Sequence, residues 1–354
     1  MPEVLLANST LTVTADDDIK IEAKMDLSAL TLSTPGEKDL TELPVKSAET
    51  VLSSDDEGKV TDVQREEERL WTSEGKGPRP WKLYKADEVP DWLRERFILT
   101  GYRAYTTYVQ NWRSIFRWHN ETLNIHTHLI ALIATAAAAN ALVMRLEPNA
   151  DVWDRTVFSA YIAGAAFCFG ASTLFHTHFP NSPEAFHTYC SLDTSGVSVL
   201  IMASTTIICY HFFYCQPVVR AVYIGLIIAA NSVGILGPLW RAWTTPGFRS
   251  LRVAVFLGSA VLSCVPVFHY LIAYGFPPAG SWLLYAGLMV VFYLGGAFVY
   301  LMRFPERWSP GTFDYIGHSH TFWHCFIVAA AWSHYCCAIE LHRWRVGGEY
   351  CAHP

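Results

Sequence analysis

His320 and His324 stand four residues apart in the run Gly317-His318-Ser319-His320-Thr321-Phe322-Trp323-His324. On a helix that interval stacks two imidazoles on one face. Two ring nitrogens side by side can grip a metal such as zinc. The run opens an almost wholly apolar stretch, Cys325 to Cys337. Imidazoles are uncommon inside apolar spans and tend to mark a working site there. A pair of interfacial histidines satisfied by water is the plainer reading of these two residues taken alone, so the rest of the chain decides.

Other polar residues gather at the ends of apolar stretches. His176 closes one, in Ser172-Thr173-Leu174-Phe175-His176, and Asp193 opens the next, in Leu192-Asp193-Thr194-Ser195-Gly196. Glu121, Asn124, His126 and His128 open an earlier one. In an up-and-down bundle these ends share one side with His320 and His324, whichever way the bundle is inserted. Three imidazoles and a carboxylate can then converge in one layer. Three imidazoles plus a water form a tetrahedral zinc site with an open position, and the metal lowers the water pKa towards ~7 to supply a hydroxide. A carboxylate one hydrogen bond away can orient that water or take its proton. Asp193 fits this role. Ser172, one turn before His176, can contact a substrate carbonyl or a nearby water. Each assignment has a plainer counterpart. Asp193 also suits a helix N-cap, and Ser172 suits helix packing. His178 and His187 follow His176 in what reads as a loop and compete with it as third ligand; His176 is preferred because it lies on the helix. His318 faces away from His320, and His211 and His269 read as satisfied core or interfacial histidines.

The elements that must position these residues are membrane-length helices. The 354 residues are 51% hydrophobic and 16% charged, too apolar for an ordinary soluble protein of this size. Seven apolar stretches, at about 125–146, 155–175, 193–213, 218–240, 251–273, 281–302 and 319–341, approach the ~20 residues needed to cross a bilayer. Short loops punctuated by Pro and Gly join them, which predicts an all-α fold, a single seven-transmembrane-helix bundle over 121–342. Residues 1–77 are acidic and poor in aromatics and read as disordered. Residues 78–120 interleave Trp and Tyr with Arg, which suits one or two juxtamembrane amphipathic helices on an anionic lipid surface rather than nucleic-acid binding. A short tail, 343–354, completes the chain.

Charge sets the expected orientation. Residues 1–90 carry a net −9 and the remainder +3. Eight Lys and Arg in 79–119, with five in loops on the same side, stand against five on the other side, which places the N-terminus in the cytoplasm and the C-terminus outside or in a lumen. All eight lysines lie at or before Lys85, so no retinal Schiff base can form in the apolar region. The nine cysteines show no CxxC pairing and read as buried free thiols. The polar first 20 residues hold no signal peptide.

Three blocks, Glu121-Thr122-Leu123-Asn124-Ile125-His126-Thr127-His128, Ser172…His176…Asp193, and Ser319-His320-Thr321-Phe322-Trp323-His324, resemble the signature regions of the progestin and adipoQ receptor family, which includes adiponectin receptors and hemolysin-III-like proteins. Pro305-Glu306-Arg307-Trp308, Pro310-Gly311-Thr312-Phe313-Asp314 and Gly101-Tyr102-Arg103 resemble flanking motifs of the same family. The resemblance covers roughly 80–342. It implies a cytoplasmic N-terminus and a zinc ion held by His176, His320 and His324 near the cytoplasmic face. It implies that Asp193 matches the aspartate beside the metal-bound water and Ser172 the nearby serine. It also implies ceramide hydrolysis, as associated with adiponectin receptors, or a part in zinc and lipid homeostasis, as associated with fungal relatives. His126, Thr194 and Thr321 depart from the family's usual Trp, Tyr and Gln.

Three functions follow as expectations. One is a zinc-dependent amidohydrolase acting on a ceramide-like membrane lipid, in the plasma membrane or the endoplasmic reticulum. The second is a receptor with a structural zinc, an extracellular ligand and a cytoplasmic signalling partner. The third is a zinc transporter, which would want metal ligands through the membrane midplane, whereas here they gather at one end.

Overall fold

The computed structural model describes residues 81–139, 150–244, 248–277 and 280–347. The expected disordered region 1–77 and the end of the C-terminal tail lie outside them. Among the described residues the long elements are all helices: α1 Tyr108–Ser114, α2 Thr122–Ala134, α3 Val152–His178, α4 Pro183–Phe212, α5 Pro217–Leu236, α6 Arg249–Tyr274, α7 Trp282–Met302 and α8 Ser319–Val346. The six from α3 to α8 are long and apolar enough to cross a membrane. A shorter apolar helix, α2, runs on through a π-helical turn at Thr135–Ala139, and the last third of the expected first span, residues 140–146, lies outside the described residues.

Two boundaries differ from the sequence expectation, and both matter for the site. The third span begins at Pro183, ten residues early, because Ser182 caps it: its side chain accepts a hydrogen bond from Ala185 N at 3.1 Å, and Pro183 suits the first helical position. Asp193 therefore sits three turns inside α4 and is not an N-cap. The loop expected after His176 shrinks to Phe179–Asn181, so His178 is the last residue of α3 and His187 lies in the second turn of α4. At ~1.5 Å per residue, the 27 and 30 residues of α3 and α4 exceed a ~30 Å hydrocarbon core, so their ends project beyond it.

Helices α3, α4 and α8 form the centre, with 56%, 50% and 44% of their apolar windows buried, against 17%, 17% and 11% for α5, α6 and α7. The outer helices turn Leu226, Val261, Phe268, Leu294 and Phe298 outward, as lipid-facing surfaces do. Inside, Phe158, Tyr161, Phe169, Ile207, Tyr335 and Leu341 pack between α3, α4 and α8.

Besides two 3₁₀ turns, Ala86–Glu88 and Asp91–Leu93, the described flank before α2 contains one short α-helix, α1, and it is amphipathic in the sense a membrane surface favours: Asn111 and Ser114 are buried while Tyr108, Val109 and Trp112 are exposed. The rest folds as a cap without long helices. A two-residue antiparallel bridge joins Tyr84 to Tyr102, and Val89, Leu93, Ile98 and Tyr102 pack with Phe179 at the end of α3. Gly101 turns the chain at φ +84°, where a Cβ would come within 3.0 Å of Asn120 N; only glycine meets both demands.

Candidate metal centre

A buried carboxylate fixes where α8 starts. Glu306, 2% exposed, accepts from Ser319 N at 2.8 Å and from the Ser319 hydroxyl, satisfying donors that a helix start otherwise leaves open. Gly317, at φ +80°, turns the chain into this start. One and five positions beyond Ser319 come His320 and His324, on one face.

Helix α3 ends opposite that face. The rings of His176, His320 and His324 form a near-equilateral triangle, with centroids 5.0, 4.8 and 5.0 Å apart. One nitrogen from each lies within 4.8 Å of the other two, close enough for ~2.0–2.1 Å bonds to a shared ion after small side-chain adjustments. Among the described residues no fourth His, Cys, Asp or Glu joins the set. The donor chemistry fits a metal. His176 Nδ1 meets Glu121 Oε2 at 2.7 Å, while its Nε2 is buried without a partner. Such an orphan in a native interior calls for an unseen ligand. His324 Nδ1 is likewise occupied, by the Asn124 carbonyl at 3.1 Å and Thr127 Oγ1 at 3.2 Å, which leaves Nε2 to ligate.

Ser172, 2% exposed, hydrogen-bonds the Asp193 carboxyl, and Asp193 lies close enough to His176 for the two to interact electrostatically. Both thus stand beside the triad without entering it. His178 is elsewhere, enclosed by the rings of Tyr108, Trp112 and Tyr189. His318 turns away, its Nε2 3.2 Å from the Asn120 carbonyl.

A supporting layer emerges that the spacing of the histidines does not announce. Glu121 accepts from Asn124 Nδ2 at 2.8 Å as well as from His176, and Asn124 Oδ1 accepts from Thr321 at 2.8 Å. Burial alone would raise the Glu121 carboxyl, but the His176 hydrogen bond and the surrounding histidines hold it well below the usual carboxylate range. Arg103, 2% exposed, donates to the His176 and Thr177 carbonyls at the end of α3 and to Ser114 Oγ at 2.7 Å. Burial pushes its guanidinium down to about 10, with Glu121 opposing, so it stays cationic at neutral pH. His128 stacks on His324 at 3.8 Å. A cavity of about 10 Å³, room for one water, lies beside His320, Glu121, Glu306 and the Glu95–Arg303 ion pair.

Comparison with known proteins bears on the same residues. The haemolysin-III-related family model matches residues 116–335, which contain every member of the triad. The chain belongs to the haemolysin-III-related family. Like other members it is a multi-pass membrane protein. It is 34% identical over 281 residues to the adiponectin receptor protein of Drosophila melanogaster, covering 77% of this chain and 63% of that protein. It is 34% identical over 262 residues to the progestin and adipoQ receptor-like protein 1 of Caenorhabditis elegans, covering 72% and 60%, and 31% identical over 270 residues to heptahelical transmembrane protein 1 of Arabidopsis thaliana, covering 73% and 80%. The chain thus spans about three fifths of the length of the first two relatives.

Two expectations for this family member are corrected at the far end of the bundle. His269 is satisfied by the Tyr223 hydroxyl at 2.8 Å, but His211 is buried with neither ring nitrogen partnered. Its ring lies in a second group with Asp154 and His342, one ligand atom of each within 4.8 Å of the others, so metal-type ligands do not gather at one end alone. Nor are all cysteines free thiols: Cys215, just beyond α4, is disulfide-bonded.

Proposed function

We propose that this protein is a zinc-dependent hydrolase of a ceramide-like lipid amide, working at the cytoplasmic face of the membrane. The observation that carries the reading is the three-imidazole donor set, which leaves a coordination position for something other than protein. A closed four-ligand site would speak for a structural metal instead. When bound, zinc would supply a Lewis acid for the amide carbonyl and a water of lowered pKa.

The chain's own residues do the rest. Glu121 holds the Nδ1 proton of His176, and Asn124 that of His324, so both rings present Nε2 inward in a fixed orientation. Asp193 is the group that takes a proton during attack and returns it to the leaving nitrogen. Ser172, on its hydrogen bond to Asp193, keeps that carboxyl aimed at the triad. The orientation rests on the cationic flank and on the Cys215 disulfide, which lies at the end of α4 away from the triad; disulfides persist in oxidising compartments.

A second reading, a receptor in which the metal is structural, draws support from the receptor names of the fly and worm relatives. Zinc content and ceramide turnover of the purified protein separate the two. His320→Ala is expected to lose one zinc per chain together with turnover. Asp193→Ala is expected to keep the zinc and lose turnover. Equal turnover in wild type and both variants would remove the hydrolase.

A further inference from the structure

We propose that the far end of α3, α4 and α8, opposite the triad, holds a second site for a divalent cation of the zinc class, built from Asp154, His211 and His342. Asp154 lies in the first turn of α3, His211 near the end of α4 and His342 near the end of α8. One ligand atom from each lies within 4.8 Å of the other two. All three residues are at most 1% exposed. His342 is 18 residues along α8 from His324, about 27 Å at ~1.5 Å per residue. The two clusters therefore sit near opposite faces of a ~30 Å hydrocarbon core.

The site is built rather than accidental. Asp154 is held by its Oδ2, which accepts from Asp151 N at 3.1 Å, so that Oδ1 faces the histidines; the Tyr210 hydroxyl donates to Oδ1 at 3.0 Å. His342 Nδ1 lies 3.7 Å from Oδ1. The His211 and His342 rings are 5.6 Å apart, and Phe158 packs against both at 5.6 and 5.8 Å, closing the cluster from the core side. His211 supplies the independent sign of a ligand. It is fully buried with neither nitrogen partnered, and an interior polar group without a partner is unfavourable. A cation bound at its unprotonated nitrogen would satisfy one of the two.

Arg345 is the competing cation. It donates to Asp154 Oδ1, and its Nη2 lies 3.1 Å from His342 Nδ1. It also stacks over Tyr214, 4.0 Å from the ring centre, a platform that can hold the guanidinium once a metal takes Asp154. Two imidazoles and one carboxylate suit zinc or a neighbouring late first-row ion and are a poor set for calcium or magnesium, which want oxygen.

The test counts metal on the full chain in detergent. The variant His320→Ala/His324→Ala removes the first triad and leaves every residue of the second cluster in place. Equilibrated with micromolar Zn²⁺ and desalted, it is expected to retain one zinc per chain. Adding His211→Ala is expected to remove that zinc. Retention of none by the double variant, or of an undiminished one after His211→Ala, would overturn the proposal. A triple variant that fails to fold is replaced by His342→Gln in the same background, read against the same counts. The double variant also lacks the triad on which the hydrolase reading stands, so its zinc count is independent of whether ceramide is cleaved.

Discussion

Glu121 carries more of the metal centre than its place among four polar residues at the start of α2 suggests. Its Oε2 receives both the His176 Nδ1 proton and the Asn124 amide, so one carboxylate sets the tautomer of one ligand and anchors the residue that orients another. Outer carboxylates of this kind are typically worth 10–100-fold in metal affinity. Glu121→Gln keeps an acceptor but removes the charge, and a loss of about that size is expected when zinc retention is titrated against a chelator. Unchanged retention would show that the charge does nothing for the ligands. The sequence places Glu121, Asn124, His126 and His128 together, but which of them faces the triad depends on the rotation of α2 against α3, a packing outcome. Placement on a helix does not single out His176, because His178 and His187 are helical too; what separates the three is the direction each ring points.

At the scale of elements, the ends of helices determine the site. Glu306 satisfies Ser319 N and its hydroxyl, and the two histidines inherit their height in the bundle from that start. Glu306→Ala leaves buried donors unmet, an expected loss of about 1–3 kcal/mol. Thermal unfolding would register it, together with weaker zinc retention if the first turn of α8 frays. A variant as stable as wild type would mean that water replaces the carboxylate. Asp314 plays a related part by accepting from Leu99 N at 3.1 Å and Thr100 N at 2.7 Å, which ties the lead-in of α8 to the cap. Apolar length made six membrane-length helices legible in the sequence. It could not show that α4 starts at Pro183, because a polar first third reads as loop until a cap and a neighbouring helix are seen to support it. The same ten residues change Asp193 from a possible cap into a side chain within the bundle.

At the scale of the molecule, α3 and α8 carry candidate ligands at both ends and α4 at one, and α5 to α7 surround them with apolar surface. The proposed orientation makes one end cytoplasmic and the other exoplasmic. A glycosylation acceptor fused after Pro354 is expected to be modified in microsomes, and one fused before Met1 is not; the reverse pattern would invert the orientation. Composition and apolar period by themselves determined an all-helical membrane protein, because burying apolar length without exposing backbone leaves few other choices. The i, i+4 interval likewise determined that His320 and His324 share a face. Only the tertiary structure decided that His176 completes their triangle, that Glu121 and Arg103 support it, and that Asp154, His211 and His342 meet at the far end. The pairs that meet there are 55 to 188 positions apart in the chain, and their meeting depends on how antiparallel helices rotate and slide as their side chains interlock, which no local spacing encodes.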